Sequence, residues 1–155
     1  MLLAYRLVKL IENHSDGLAR SLHTRYKEDP RCSAYANVPD TELTQRVYEV
    51  YRHLGEWLMA KTEDEVERRY LEIGAKRAEQ GVPVSQVIWM IWLVRENLWD
   101  YLQKHAELDR PAEIFAEVEL QEMLDQFFGH AIYYAALGHE RAMAGYPATN
   151  EIVNA

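Results

Sequence analysis

The sequence predicts an all-α fold of five main helices, ending in a long antiparallel pair. Apolar residues recur every three or four positions in one segment after another. No strand-like alternation lasts for more than a few residues. Helix breakers are scarce: seven Gly and five Pro in 155 residues, where an average chain of this length holds about 12% of the two together.

Helix one spans residues 1–28, with Leu3, Leu7, Leu10, Ile11, His14, Leu18 and Leu22 on its apolar side. The segment EDPRCSAYANVP, with two prolines, interrupts that pattern as a loop. Helix two runs from about Asp40 to Ala60 and buries Leu43, Val47, Val50, Tyr51, Leu54 and Leu58, and its acidic and hydroxyl opening turn suits the helix dipole. Thr62 and Glu65 have capping-box spacing and open helix three, whose face is Val66, Tyr70, Ile73, Gly74 and Arg77, and which stops at Gly81. Pro83 starts helix four, which ends near His105. Asp109 and Pro111 open helix five, which continues to about Gly145. Residues 1–146 are thus expected to form a single domain, with 147–155 as a tail or linker.

Bulk properties narrow the function classes. A net charge of −8, with basic residues unclustered, repels phosphate backbones and anionic membranes. The longest apolar run, VIWMIWLV, is far short of the roughly 20 residues of a membrane span. The start of the chain reads as an amphipathic helix and not as a signal peptide, so a cytoplasmic location is expected. One cysteine, Cys32, excludes an intrachain disulfide and a cysteine-rich metal site. No phosphate loop, nucleophile elbow, Cys-His dyad or paired-histidine metal motif is present, and the expectation is a protein without enzymatic activity and without a metal.

The last two helices carry more apolar surface than one core requires. On helix four, Val84, Val87, Ile88, Ile91, Val94, Leu98 and Leu102 share a face, with Arg95 among them, while Trp89 and Leu93 lie opposite, beside Glu96. On helix five, Leu120, Leu124, Phe127, Phe128, Ala131 and Ala135 face inward, and Phe115, Glu119, Glu122, Gln126, His130, Tyr133 and Leu137 form a second stripe. A homodimer through these outer faces is expected, with Trp89, Leu93, Glu96, Phe115, His130, Tyr133 and Leu137 as interface candidates.

Arg77 and Arg95 each project from a largely apolar face, where a guanidinium needs a partner. Each either bridges to an acidic residue or lines a small pocket and holds an anion such as a carboxylate. Tyr70 and His53 complete the set of pocket candidates. His14 is expected to be partly buried, and His139 to lie at the surface or a helix end.

The segment IGAKRAEQGVPVSQVIWMIWLVRENLW, followed by a helix ending IYYAALGHERA, resembles the N-terminal domain of RsbR-type proteins, the RsbT co-antagonist family. The most specific part is G-x-x-R-A-x-x-G-V-P, formed by Gly74, Arg77, Ala78, Gly81, Val82 and Pro83. The resemblance implies a globin-like bundle without haem that dimerises through its last two helices. It implies a sensory or regulatory input module, of the stressosome or histidine-kinase type, signalling to a fused domain or a downstream protein. The segment is also similar to haem-binding globin-coupled sensors, in which a histidine stands four residues before the glycine. Here that position is Arg77, which has no lone pair for iron. The alternative is therefore a haem or other tetrapyrrole held by a non-standard ligand, His53 or His130.

Overall fold

The computed structural model describes residues 4–105 and 111–146, with the backbone alone for 111 and 112. Leu3, the opening residue Asp109 and the tail 147–155 lie outside the described residues. Within them the protein is all-α: no residue is in a strand.

Helix one divides at His14, whose backbone (φ −113°, ψ 22°) leaves the helical region, giving α1 (Tyr5–Asn13) and α2 (Ser15–Glu28). The His14 ring lies 2.9 Å from the Leu10 carbonyl through Nδ1. Contrary to expectation the side chain is exposed, because the break turns it away from the apolar stripe.

The proline-containing loop is itself ordered as a 3-10 helix, Pro30–Asn37. Asp29 starts it by accepting a hydrogen bond from the Arg31 amide at 2.9 Å. Cys32, Tyr35 and Val38 are buried against the bundle. Burial pushes the Cys32 thiol up to about 11, which leaves it protonated and unreactive at neutral pH.

Helix two ends early. α3 covers Asp40–Arg52, and a π-helical turn follows at Glu56–Ala60, closed by the Lys61 amide donating to the Glu56 carbonyl at 2.7 Å. The cause is tertiary: the Gly55 amide donates to Glu12 Oε2 on α1 at 2.9 Å, and not to the helix's own ladder.

α4 (Glu63–Glu79) begins with the capping box the sequence predicts, its two bonds running from the Glu65 amide to Thr62 Oγ1 at 3.3 Å and from the Thr62 amide to Glu65 Oε2 at 2.8 Å. It stops at Gly81, whose φ of +77° favours glycine. α5 (Val84–His105) and α6 (Pro111–Met143) follow. They run antiparallel, joined by Gln103 Nε2 donating to Glu117 at 3.1 Å and by the Arg95–Asp125 ion pair.

α6 also crosses α4, and this is the most extensive helix contact among the described residues. It is possible because Gly74 and Gly138 occupy the crossing. A Cβ on Gly74 would stand 1.9 Å from the Ala135 carbonyl oxygen, and one on Gly138 would stand 2.2 Å from that of Leu71. Tyr51, Leu54, Leu98, Leu102, Leu120 and Leu124 form the centre of the core.

The expected division of α5 into a core face and a dimer face requires correction. Leu93 is only 8% exposed and belongs to the core. α2 and the 3-10 segment pack against α5 from one side and α6 from another, so more than half of its circumference is covered. Trp89 is half-buried within the chain: its indole N–H donates to Asp29 Oδ2 at 2.8 Å, and the Arg31 guanidinium lies 3.9 Å from its ring centre. Trp92, stacked on Trp89, is the α5 tryptophan that reaches solvent.

Candidate functional site

Two features qualify as sites: a cavity between α2, α3, α4 and α5, and the outer side of α6.

The cavity measures about 70 Å³. Its floor is apolar, built from Val87, Met90, Ile91 and Val94 of α5 with Phe128 of α6, and its edge is the half-buried group Arg46, Val47, Glu49 and Ile73. These residues converge because α3 and α4 present their apolar faces to α5 while their charged rims stay at the surface. Tyr35 and Tyr70 also line it. Burial pushes both phenols well above their ordinary range, so both are neutral hydrogen-bonding groups at any physiological pH. No hydrogen bond holds the Tyr70 hydroxyl among the described residues, and Glu49 and Arg46 act on it only through space.

The structure assigns the four pocket candidates differently. Tyr70 and Arg77 line the cavity; Arg95 and His53 do not. Arg77 is 3% exposed and ion-paired: its Nη1 donates to Glu42 Oε1 at 2.8 Å and to Gln80 Oε1 at 2.9 Å, while Gln80 Nε2 donates to Glu42 Oε2 at 3.0 Å. This closed triangle ties the end of α4 to the start of α3. Arg95 bridges Glu96 on its own helix, at 3.4 Å, and Asp125 on α6. Both guanidiniums are therefore in ion pairs. At the cavity edge, Glu49 accepts from Arg69 Nε and Nη2 at 2.9 and 3.0 Å and from Arg46 Nη1 at 3.1 Å, so both guanidiniums share one carboxylate.

His53 is exposed, 3.7 Å from Glu56. His130 is half-buried on a separate surface depression with Trp57, Lys61 and Glu63, and lies 3.2 Å from Glu63. None of the six histidines borders the cavity. An apolar cavity of about 150 Å³ accommodates benzene, and this one is half that size. This cavity, small and without a histidine, does not fit a haem. His139, expected at the surface, is instead buried, with Nε2 2.6 Å from the Val82 carbonyl. Among the described residues no group of three or more His, Cys, Asp or Glu is placed to hold a metal, and no helix is long and apolar enough to cross a membrane.

Sequence reasoning names Tyr51 only as a core residue of helix two and passes over Asn97. Both are buried: Asn97 Nδ2 donates to the Leu18 carbonyl at 2.9 Å and to the Tyr51 hydroxyl at 3.2 Å, and that hydroxyl donates to the Val94 carbonyl at 2.8 Å. The signal was an amide on an otherwise apolar helix face, which is stable there only with partners from other helices.

On the outer side of α6, Ile114, Phe115, Val118 and Tyr133 are exposed, Phe115 at 66% and Tyr133 at 61%. Glu122 and Gln126 lie between them, and Leu137 is half-buried. Glu119 is drawn inward, accepting from the Ala4 amide at 3.0 Å. Of the interface candidates, Phe115 and Tyr133 are thus freely exposed, Trp89, Glu96, His130 and Leu137 are partly covered, and Leu93 is inside.

The motif G-x-x-R-A-x-x-G-V-P can now be read physically: Gly74 permits the α4–α6 crossing, Arg77 closes the triangle with Glu42 and Gln80, Gly81 supplies the left-handed turn, and Val82 is buried with its carbonyl beside His139. No curated protein and no solved structure matches the chain. The family model for the RsbT co-antagonist protein rsbRD N-terminal domain matches residues 16–145, from α2 through the end of α6, and the chain belongs to that family.

Proposed function

We propose that this chain is a non-enzymatic signalling input domain of the RsbR type, acting in the cytoplasm. It pairs with a second copy through the outer sides of α5 and α6 and relays its signal by protein contact, to a fused domain or to a downstream protein. Family membership supports the signalling role. The observation that carries the pairing is the row of exposed apolar side chains along one side of α6, with exposed Trp92 on its antiparallel neighbour. Large apolar groups recurring along one helix side of a soluble domain mark a contact surface, and two such antiparallel pairs form a four-helix bundle. The helical arrangement is globin-like in this reading, without haem, because the cavity is small and lacks a histidine.

A spin label tests the pairing. Cys32 is buried, so a label at Glu140→Cys on the exposed side of α6 is the only reactive site. The expected result is a dipolar coupling between labels on two copies that disappears on dilution with unlabelled protein. A sample without coupling at any concentration would rule the pairing out.

A further inference from the structure

The cavity bounded by Tyr70 has a composition that selects a ligand. Its floor is aliphatic and aromatic, and the charged groups at its edge already have partners: Glu49 with Arg46 and Arg69, Arg77 with Glu42. A carboxylate entering would have to compete with these ion pairs and would lose its hydration. The Tyr70 hydroxyl is open to a guest. Tyr70 is 6% exposed, lines the cavity and has no hydrogen-bond partner among the described residues. A hydroxyl that faces the cavity without a protein partner can bond a guest, which adds one hydrogen bond to binding. The volume, about 70 Å³, is half that of a cavity for benzene. It therefore admits only a few heavy atoms.

We propose that this cavity is a binding site for a small uncharged amphiphile, of the short-chain alcohol class, with its hydroxyl on Tyr70 and its alkyl part against Val87, Met90, Ile91 and Phe128. The partly open edge at Val47 and Ile73 provides the entrance. Three helices, α3, α4 and α5, meet at the guest, and α5 also forms one half of the proposed pairing surface. Binding does not rest on pairing, and each is read by a separate measurement.

The test is a methyl NMR titration of the intact chain, labelled at Ile, Val and Met, with 2-propanol and, separately, with acetate as a charged counterpart of similar size. Saturable shifts confined to Ile73, Val87, Met90, Ile91 and Val94 are expected with 2-propanol and none with acetate. Tyr70→Phe, which removes only the unpartnered hydroxyl and is expected to fold, should weaken binding about fivefold, the size of one hydrogen bond. Val50→Phe, which fills the cavity from α3, should abolish the shifts while the circular dichroism stays helical. Linear shifts spread over the whole protein, equal responses to acetate, or unchanged affinity in Tyr70→Phe would each overturn the proposal. Should Val50→Phe unfold, Tyr70→Phe still decides it.

Discussion

Gly74 and Ala135 lie so close that a single added carbon on Gly74 would overlap the Ala135 carbonyl. Gly138 and Leu71 repeat the relationship in the opposite sense, from α6 onto α4. Backbone meets backbone there, so no side chain can swing aside. Gly74→Ala and Gly138→Ala are each expected to destabilise the protein by about 1–3 kcal/mol or more, the range for overpacking a tight core. Urea unfolding followed by circular dichroism measures this, and a loss of under half a unit would mean that the helices separate easily.

The Arg77 triangle predicts an asymmetry. Glu42→Ala strands a guanidinium that is 3% exposed, whereas Arg77→Met removes the buried charge and keeps its volume. Breaking a buried pair from one side costs about 3–5 kcal/mol, and replacing the charge with an apolar group costs much less. Chemical unfolding of the two variants should therefore rank Glu42→Ala as clearly the less stable.

Asp29 links the 3-10 segment to Trp89. Bonds from the Arg31 side chain, the Trp89 indole and the Arg31 amide hold its carboxyl down to about 2. Because the folded pKa lies below the ordinary value near 4, its contribution is fully present above about pH 4 and is lost as pH falls through about 2. The Trp89 indole resonance should stay in place down to about pH 3 and then move. Asp29→Asn should displace it already at neutral pH. A midpoint near the ordinary carboxylate value would mean the bonds are weak.

Gly129 sits mid-helix on the exposed side of α6, and a Cβ there would meet nothing within 4 Å. Glycine inside a helix costs about 1 kcal/mol relative to alanine. Gly129→Ala is thus expected to raise the thermal stability of the separated chain. If a partner helix approaches there, the same change weakens self-association, which sizing at several concentrations reads.

The α4 capping box, the Gly81 stop and the starts of the later helices were legible in the sequence because each depends on residues within one turn. The breaks at His14 and Gly55 were not, since Gly55 leaves the helix for a bond to Glu12, 43 residues away in the chain. Leu93 shows the same limit: helical periodicity identifies opposite sides, but burying both requires knowing that α2 and the 3-10 segment also pack on α5. In the candidate site, Tyr70 and Arg77 were visible as polar residues on an apolar face, yet the commitment of Arg77 to Glu42 and Gln80 depends on how α3 meets α4. The exposure of Phe115 and Tyr133 followed from spacing alone, because α6 is packed on one side and open on the other.

The proposed pairing joins two copies of this chain through the outer sides of α5 and α6. Sedimentation velocity at tens of micromolar, on the wild type and on a Phe115→Glu/Tyr133→Glu double variant, tests it most directly. A wild-type particle of twice the 18.2 kDa chain is expected, and a monomeric, still helical double variant. A wild type that sediments as a monomer, or a double variant that remains dimeric, would contradict it.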